Sequence, residues 1–279
     1  MVTALVSGGN RGIGYGIVRR LANDFPSSAV YGSGNEHLTI YLGARDTAKG
    51  EEAKTSILSE VSSSARDRVS IEVRQMDVLS SSSISNLAKE FSSGVDILIN
   101  NSGIAMDGFD GDVAKRTVET NYTAVKNVIK AIPVREGGRI VNVASLSGVL
   151  KGYSPEITQR FKSASSESDA DQLMQDFQTA VADNTWKEKG WKGAAYATSK
   201  AGLIAYTKAL AKDYQSQGKN VTVNACCPGY VNTDMTKGKG YKTLDQGAET
   251  PVFLAIQEKE GITGEFWSEK KVHPWEVKE

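Results

Sequence analysis

Six apolar, β-rich runs, at residues 3–7, 38–43, 69–75, 95–99, 139–143 and 221–225, alternate with segments long enough to be helices. Alternation of this kind implies a parallel sheet, because parallel neighbours need a crossover and the crossover helices cover both faces. Right-handed crossovers then leave a doubly wound α/β fold, a Rossmann-type sheet whose ligand crevice lies beyond the carboxyl ends of the strands. Nothing in the composition divides the chain, so one domain is expected over residues 1–279, with enough apolar content (39%) for a sizeable core. Two stretches interrupt the pattern. Residues 26–37 are rich in Ser and Gly and read as an enlarged loop before the second strand. Residues 152–190 carry apolar groups at helical spacing around 172–181, and read as an ordered helical insertion.

The charges exclude several partners. Lys plus Arg and Asp plus Glu number 33 each, so no global field favours nucleic acid or an anionic membrane. The apolar start, Met1 to Val6, lacks a basic flank and runs into a glycine turn, which makes it a buried strand rather than a leader. No apolar stretch reaches the ~18 residues that span a bilayer. The two cysteines, Cys226 and Cys227, are adjacent and unsuited to stapling distant parts of a fold, so a cytoplasmic protein is expected. His37 and His273 are far apart and lack ligand partners, and no metal site is expected.

Each candidate motif follows a strand. Gly8, Asn10, Arg11, Gly12, Ile13 and Gly14 form a glycine-rich turn that opens a helix, where glycines permit close backbone approach and free N–H groups attract a pyrophosphate. The spacing is GxxxGxG rather than GxGxxG, so a turn that only caps the helix is the alternative. Arg45, ending the second strand, stands where an NADP site offers a cation to the 2′-phosphate, and Arg11 is placed to be a second. Two solvated arginines, or Asp46 serving an NAD ribose, are the alternatives. Asp77 and Val78 follow the third strand, positioned to meet an adenine; Asn100, Ser102 and Gly103 follow the fourth, offering small residues where a cofactor lies on backbone. Tyr196 and Lys200, four apart on a helical pattern, share one face and can share a proton-transfer task.

Together with Asn121, Ser145 and Pro228-Gly229, these motifs resemble the short-chain dehydrogenase/reductase family over nearly the full length. More narrowly, the chain is similar to the monomeric NADPH-dependent carbonyl reductases. That narrower likeness rests on the 51-position gap from Ser145 to Tyr196, on the segments Asn224 to Met235 and Gly247 to Pro251, and on the sequence of the insertion. Ser102 replaces the family's usual alanine, and Tyr230 stands where a Trp is common.

The resemblance implies NADPH as cofactor and a small carbonyl compound as substrate. Tyr196 would be the general acid, with Lys200 lowering its pKa, as an oxidised nicotinamide also would, and holding the nicotinamide ribose. Ser145 would bind the substrate oxygen, Asn121 would hold a water that resupplies protons, and Pro228, Gly229, Val231 and Thr233 would complete the cofactor site. Tyr153, Trp191 and Tyr230 are candidate substrate walls, with core packing the alternative for each; Cys227 is either a reactive thiol or an inert apolar residue. The insertion implies a monomer, because it covers the surface that most members use to associate. Two competing functions stay in view: an NADP-dependent alcohol dehydrogenase for terpenoid or steroid-like alcohols, and an NADP-sensing protein without turnover.

Overall fold

The apolar runs pair side by side. The computed structural model describes residues 1–31, 36–258 and 260–276. Strands β1 (Val2–Ser7), β2 (Leu38–Ala44), β3 (Val69–Gln75), β4 (Val95–Asn100), β5 (Val134–Val143), β6 (Thr222–Cys227), β7 (Phe266–Ser268) and β8 (Lys271–Val272) form one sheet of order β3-β2-β1-β4-β5-β6-β7-β8. All neighbours are parallel except β7 and β8. The order reverses between β1 and β4, and a crevice opens there beyond the carboxyl ends.

Ten helices are described: α1 (Gly12–Asp24), α2 (Thr47–Glu60), α3 (Ser63–Arg66), α4 (Ser81–Glu90), α5 (Gly111–Val118), α6 (Ala124–Ala131), α7 (Pro155–Ser163), α8 (Glu167–Ala182), α9 (Ala195–Ser216) and α10 (Leu244–Val252). They cover both faces. Ile17, Leu21, Ile57 and Val252 of α1, α2 and α10 share one apolar cluster with Ala4 and Val6 of β1; Leu87, Val113, Val128, Phe177 and Leu203 share the other with Leu5. Successive β1 side chains thus bury on opposite faces, as an internal parallel strand requires.

The insertion is helical. α7 and α8 lie between β5 and α9; Ser166 opens α8 with a capping box, its side chain accepting the Asp169 N–H at 3.1 Å. A Cβ on Gly202 would fall 2.4 Å from Met174 Sδ, so that glycine lets α8 seat closely on α9. A charge network completes the seal to α6. Asp171 accepts from Tyr122 Oη at 2.7 Å and from Lys126 Nζ at 2.6 and 2.7 Å.

Several expectations shift. β5 begins at Val134, before the apolar run, and its pairing with β4 slips between Val95 and Ile97. α1 begins at Gly12, inside the glycine motif. The short β7 and β8 were not expected at all. Of the enlarged 26–37 loop, residues 32–35 lie outside the described residues; its first part docks on the segment after α10, where Ser28 Oγ donates to the Ile256 carbonyl at 2.6 Å.

Candidate active site

The turn after β1 is built on backbone contact. Gly8 and Gly12 have φ of 65° and 54°, the left-handed region that favours glycine. A Cβ on Gly14 would lie 2.1 Å from the Gly8 carbonyl oxygen and 2.6 Å from Asn101 Nδ2. Gly14→Ala is therefore expected to destabilise the protein by about 1–3 kcal/mol in urea unfolding, the usual cost of overpacking; unchanged stability would mean that the turn relaxes freely. The turn is tied to the loop after β4. Ser7 Oγ accepts the N–H groups of Asn101 and Ser102 at 2.9 and 3.0 Å, and the Asn101 amide donates to the carbonyls of Ser7 at 3.0 Å and Gly8 at 3.3 Å. Arg11, the N-cap of α1, supplies no side-chain cap bond, which leaves the first-turn N–H groups available to an anion.

Around this cradle the cations differ in their company. Arg45 is exposed and has no ion-pair partner among the described residues. Arg11 lies 3.5 Å from Asp234. Asp46 caps α2, its Oδ1 accepting the Ala48 and Lys49 N–H groups at 3.0 and 3.2 Å, which commits one of its two oxygens to its own helix. Asp77 accepts the Leu79 N–H at 3.1 Å, and Val78 packs against the core. Thr233 reaches the cradle, its Cγ2 3.5 Å from where a Gly12 Cβ would stand. Pro228 and Val231 are buried, and Gly229, at φ 87°, turns the chain out of β6. Asn10 and Ile13 are half-buried. Buried Asn100 donates to Asn142 Oδ1 at 2.9 Å, while its own Oδ1 has no partner among the described residues. A backbone cradle, an open helix start and two arginines fit a dinucleotide bearing a 2′-phosphate.

The proton-transfer candidates converge on Gly103. A Cβ there would lie 3.0 Å from Asn121 Oδ1 and 3.5 Å from Lys200 Nζ. Asn121 sits in a π-turn (Glu119–Thr123) between α5 and α6, a local widening that often marks functional helices. Its Oδ1 accepts the Ile104 N–H at 2.8 Å, and its Nδ2 donates to the Ile104 carbonyl at 2.9 Å and to Ser199 Oγ at 3.0 Å. Both amide hydrogens are thus engaged, and only a lone pair of Oδ1 is left for a water. Lys200 Nζ stands 5.8 Å from the centroid of the Tyr196 ring and donates to the Val143 carbonyl at 2.8 Å. Ser145 opens the loop after β5, its hydroxyl beside the Tyr196 phenol and accepting from Ser147 N–H and Oγ at 3.2 and 3.0 Å. Gly148 presses this loop onto α9: its Cβ would meet the Lys200 carbonyl carbon at 2.8 Å.

One electrostatic expectation is corrected. Loss of solvent pushes the Tyr196 phenol up to about 12; the Ser145 hydrogen bond pulls the other way and the neighbouring Cys227 adds to the rise. Burial likewise pushes the Lys200 amine down to about 8. Desolvation, not the lysine, therefore dominates the phenol within the protein itself, because the ammonium is turned to Val143. The Cys227 thiol is also raised by burial, which makes it the inert alternative at neutral pH.

The substrate-side residues divide. Tyr230 is exposed and pairs with Tyr241, ring centroids 6.1 Å apart. Tyr153 shares a hydrogen bond with Thr198 Oγ1 at 3.1 Å and packs on Phe161. Trp191 is buried between Phe161 and Phe177, and its contacts are those of core packing. Ser7, Asn101, Ser199 and Gly148 escaped the sequence reading. Asn101 follows Asn100 and Ser199 precedes Lys200, but Asn101 gains its partners only when β1 pairs with β4, and Ser199 only when α9 packs on the turn that holds Asn121.

The short chain dehydrogenase family model matches residues 2–156 and 181–243, and the intervening stretch holds most of α7 and α8. Carbonyl reductase (NADPH) 1 of Pongo abelii is 35% identical over 288 residues, covering 99% of each chain. Two solved structures, each 27% identical and covering 96% of this chain, superpose well: salutaridine reductase from Papaver somniferum (TM-score 0.80, 99% of that chain) and menthone neomenthol reductase from Mentha piperita (TM-score 0.75, 98% of that chain).

Proposed function

The chain belongs to the short-chain dehydrogenase family, and we propose that it reduces aldehydes and ketones to alcohols with NADPH, Tyr196 giving the proton. The observation that carries this reading is the convergence of Asn121 and Lys200 on Gly103, one helical turn from Tyr196 and beside the glycine cradle. When bound, NADPH supplies the hydride. Tyr196 would donate from its phenol to the carbonyl oxygen, and Ser145 Oγ, beside that phenol, would stabilise the charge developing there. Lys200 would hold the nicotinamide ribose, and Asn121 would keep the Gly103–Ile104 backbone fixed beside it, with Oδ1 facing a water for proton resupply. Gly8 to Gly14 would hold the pyrophosphate, Arg11 and Arg45 the 2′-phosphate, Asp77 and Val78 the adenine side, Asn100, Ser102 and Gly103 the cofactor's other flank, and Pro228 to Thr233 the nicotinamide. Tyr153, Tyr230 and, less directly, Trp191 would shape the substrate wall. Broad scope is favoured by the exposed, mutually packed Tyr230 and Tyr241, which offer aromatic contact to a substrate.

A cytoplasmic monomer is part of the proposal. Among the described residues no helix is long and apolar enough to cross a membrane, and α8 covers α5 and α9.

Following nicotinamide oxidation with aromatic aldehydes, α-diketones, quinones and ketoesters tests the reading. Turnover with NADPH at least tenfold more efficient than with NADH is expected, the contribution of a charge-assisted clamp. Equal use of NADH would remove the clamp but leave the chemistry standing. Cofactor binding without turnover on any carbonyl would overturn the reductase reading in favour of a sensor.

A further inference from the structure

The segment after β6 reaches across the cofactor cradle and is fastened on both sides. Asp234 lies 3.5 Å from Arg11 in the glycine turn, and Lys237, three residues on, pairs with Asp107 of the loop after β4 at 2.9 Å. The Thr233 methyl, just ahead of Asp234, stands against Gly12. Lys237 itself adopts a left-handed φ of 52°, which turns the chain back after the short 3-10 turn Asp234–Thr236. The Asp234 carboxylate is thereby carried to the guanidinium that the NADPH reading assigns to the 2′-phosphate. Arg45, the other arginine of that site, has no acidic partner among the described residues, so the two cations are unequally matched.

We propose that Asp234 is a cofactor-selectivity residue, an internal competitor that occupies Arg11 and so lowers the preference for a 2′-phosphorylated dinucleotide. This inference rests on the proposed role of Arg11. A guanidinium fork that already faces a carboxylate gives less to an incoming phosphate, and the carboxylate adds repulsion toward any dianion brought beside it. NAD, lacking the 2′-phosphate, makes no demand on Arg11 and is indifferent to the competition. Both side chains are largely exposed, 69% for Arg11 and 88% for Asp234, so the effect is modest and screened by salt. Lys237 and Asp107 hold the segment in place whether or not the Arg11 pair is made.

Dissociation constants of NADP⁺ and NAD⁺, measured calorimetrically at low ionic strength on the intact protein, test this without turnover. Asp234→Asn is expected to tighten NADP⁺ about threefold to fivefold, the most an exposed pair is worth, and to leave NAD⁺ unchanged. In an Arg11→Gln background the same substitution should tighten NADP⁺ by clearly less, because only the carboxylate's repulsion is relieved and there is no guanidinium left to release; an undiminished gain there would overturn the competition. Equal tightening of both nucleotides would overturn the proposal by pointing to general repulsion from the pyrophosphate. Weaker NADP⁺ binding in Asp234→Asn would also overturn it, since Asp234 would then be assisting Arg11. If Arg11→Gln weakens NADP⁺ but Asp234→Asn changes nothing, the competition fails while the clamp stands; if Arg11→Gln leaves NADP⁺ binding intact, both fail together. Asp234 is too exposed for either variant to disturb folding, which a melting curve verifies.

Discussion

Tyr196→Phe is expected to lower kcat about 10³-fold while leaving NADPH affinity within about threefold, since positioned proton donors contribute 10² to 10⁴. The substitution removes one oxygen and keeps the ring, so the 5.8 Å spacing to Lys200 Nζ and the packing of α9 survive. The phenol, pushed up to about 12 by burial, holds its proton throughout the neutral range. It is thus present as the acid form that a carbonyl reduction needs. Pre-steady-state nicotinamide oxidation, paired with a fluorescence titration of NADPH, separates loss of chemistry from loss of binding. Residual turnover within tenfold of wild type would take Tyr196 out of the mechanism. A large rise in the NADPH dissociation constant with kcat preserved would instead make it a binding residue.

The same phenol marks the boundary of what the chain reveals when read as a string. Strands β1 to β6 were legible because each is a buried apolar run between helix-length segments, and their order alone locates the crevice. β7 and β8, three and two residues long, are too short for any periodicity and exist through their pairing with β6 and with each other. Asp46, in sequence only an acid after Arg45 and an alternative ribose ligand, is in the fold also the cap of α2, a role that needs the helix start to be seen. Within the insertion α8 was legible from the apolar spacing at 172–181, but the Asp171 network that ties it to α6 joins residues 45 and 49 positions apart. Sign was the hardest quantity. Spacing places Lys200 beside Tyr196 correctly, yet the direction in which each titrates depends on how much water they lose, and burial is a property of the assembled fold.

Lys200→Met follows from that same loss of water, and it is expected to inactivate the protein while stabilising it at neutral pH. Lys200 is 4% exposed, and burial holds its amine down to about 8 against an ordinary 10.5. Between about 8 and 10.5 the unfolded chain therefore binds more protons than the folded one, and this group makes stability rise with pH across that window. Below about 8 both states are protonated, and the folded state carries the full burden of a buried ammonium, on the order of 3 kcal/mol. Methionine removes the burden and loses the 2.8 Å bond to Val143. That lost bond costs about 1 kcal/mol, for a net gain of about 2 kcal/mol at pH 7. By pH 10.5 the wild-type amine is neutral when folded, the burden is gone, and the variant should be no more stable than wild type. Comparing the two proteins by urea unfolding at each pH cancels the opposite contribution of Tyr196, whose raised pKa acts in both. Turnover should fall about 10²-fold or more, because a charge next to the proton donor and a holder of the ribose are lost together. If the variant is less stable at pH 7, the bond to Val143 outweighs the burial of the charge, and Lys200 is a structural residue as much as a functional one. If it is more stable and inactive, a charged amine is kept in a buried site at the expense of the fold, which is the mark of a group retained for chemistry.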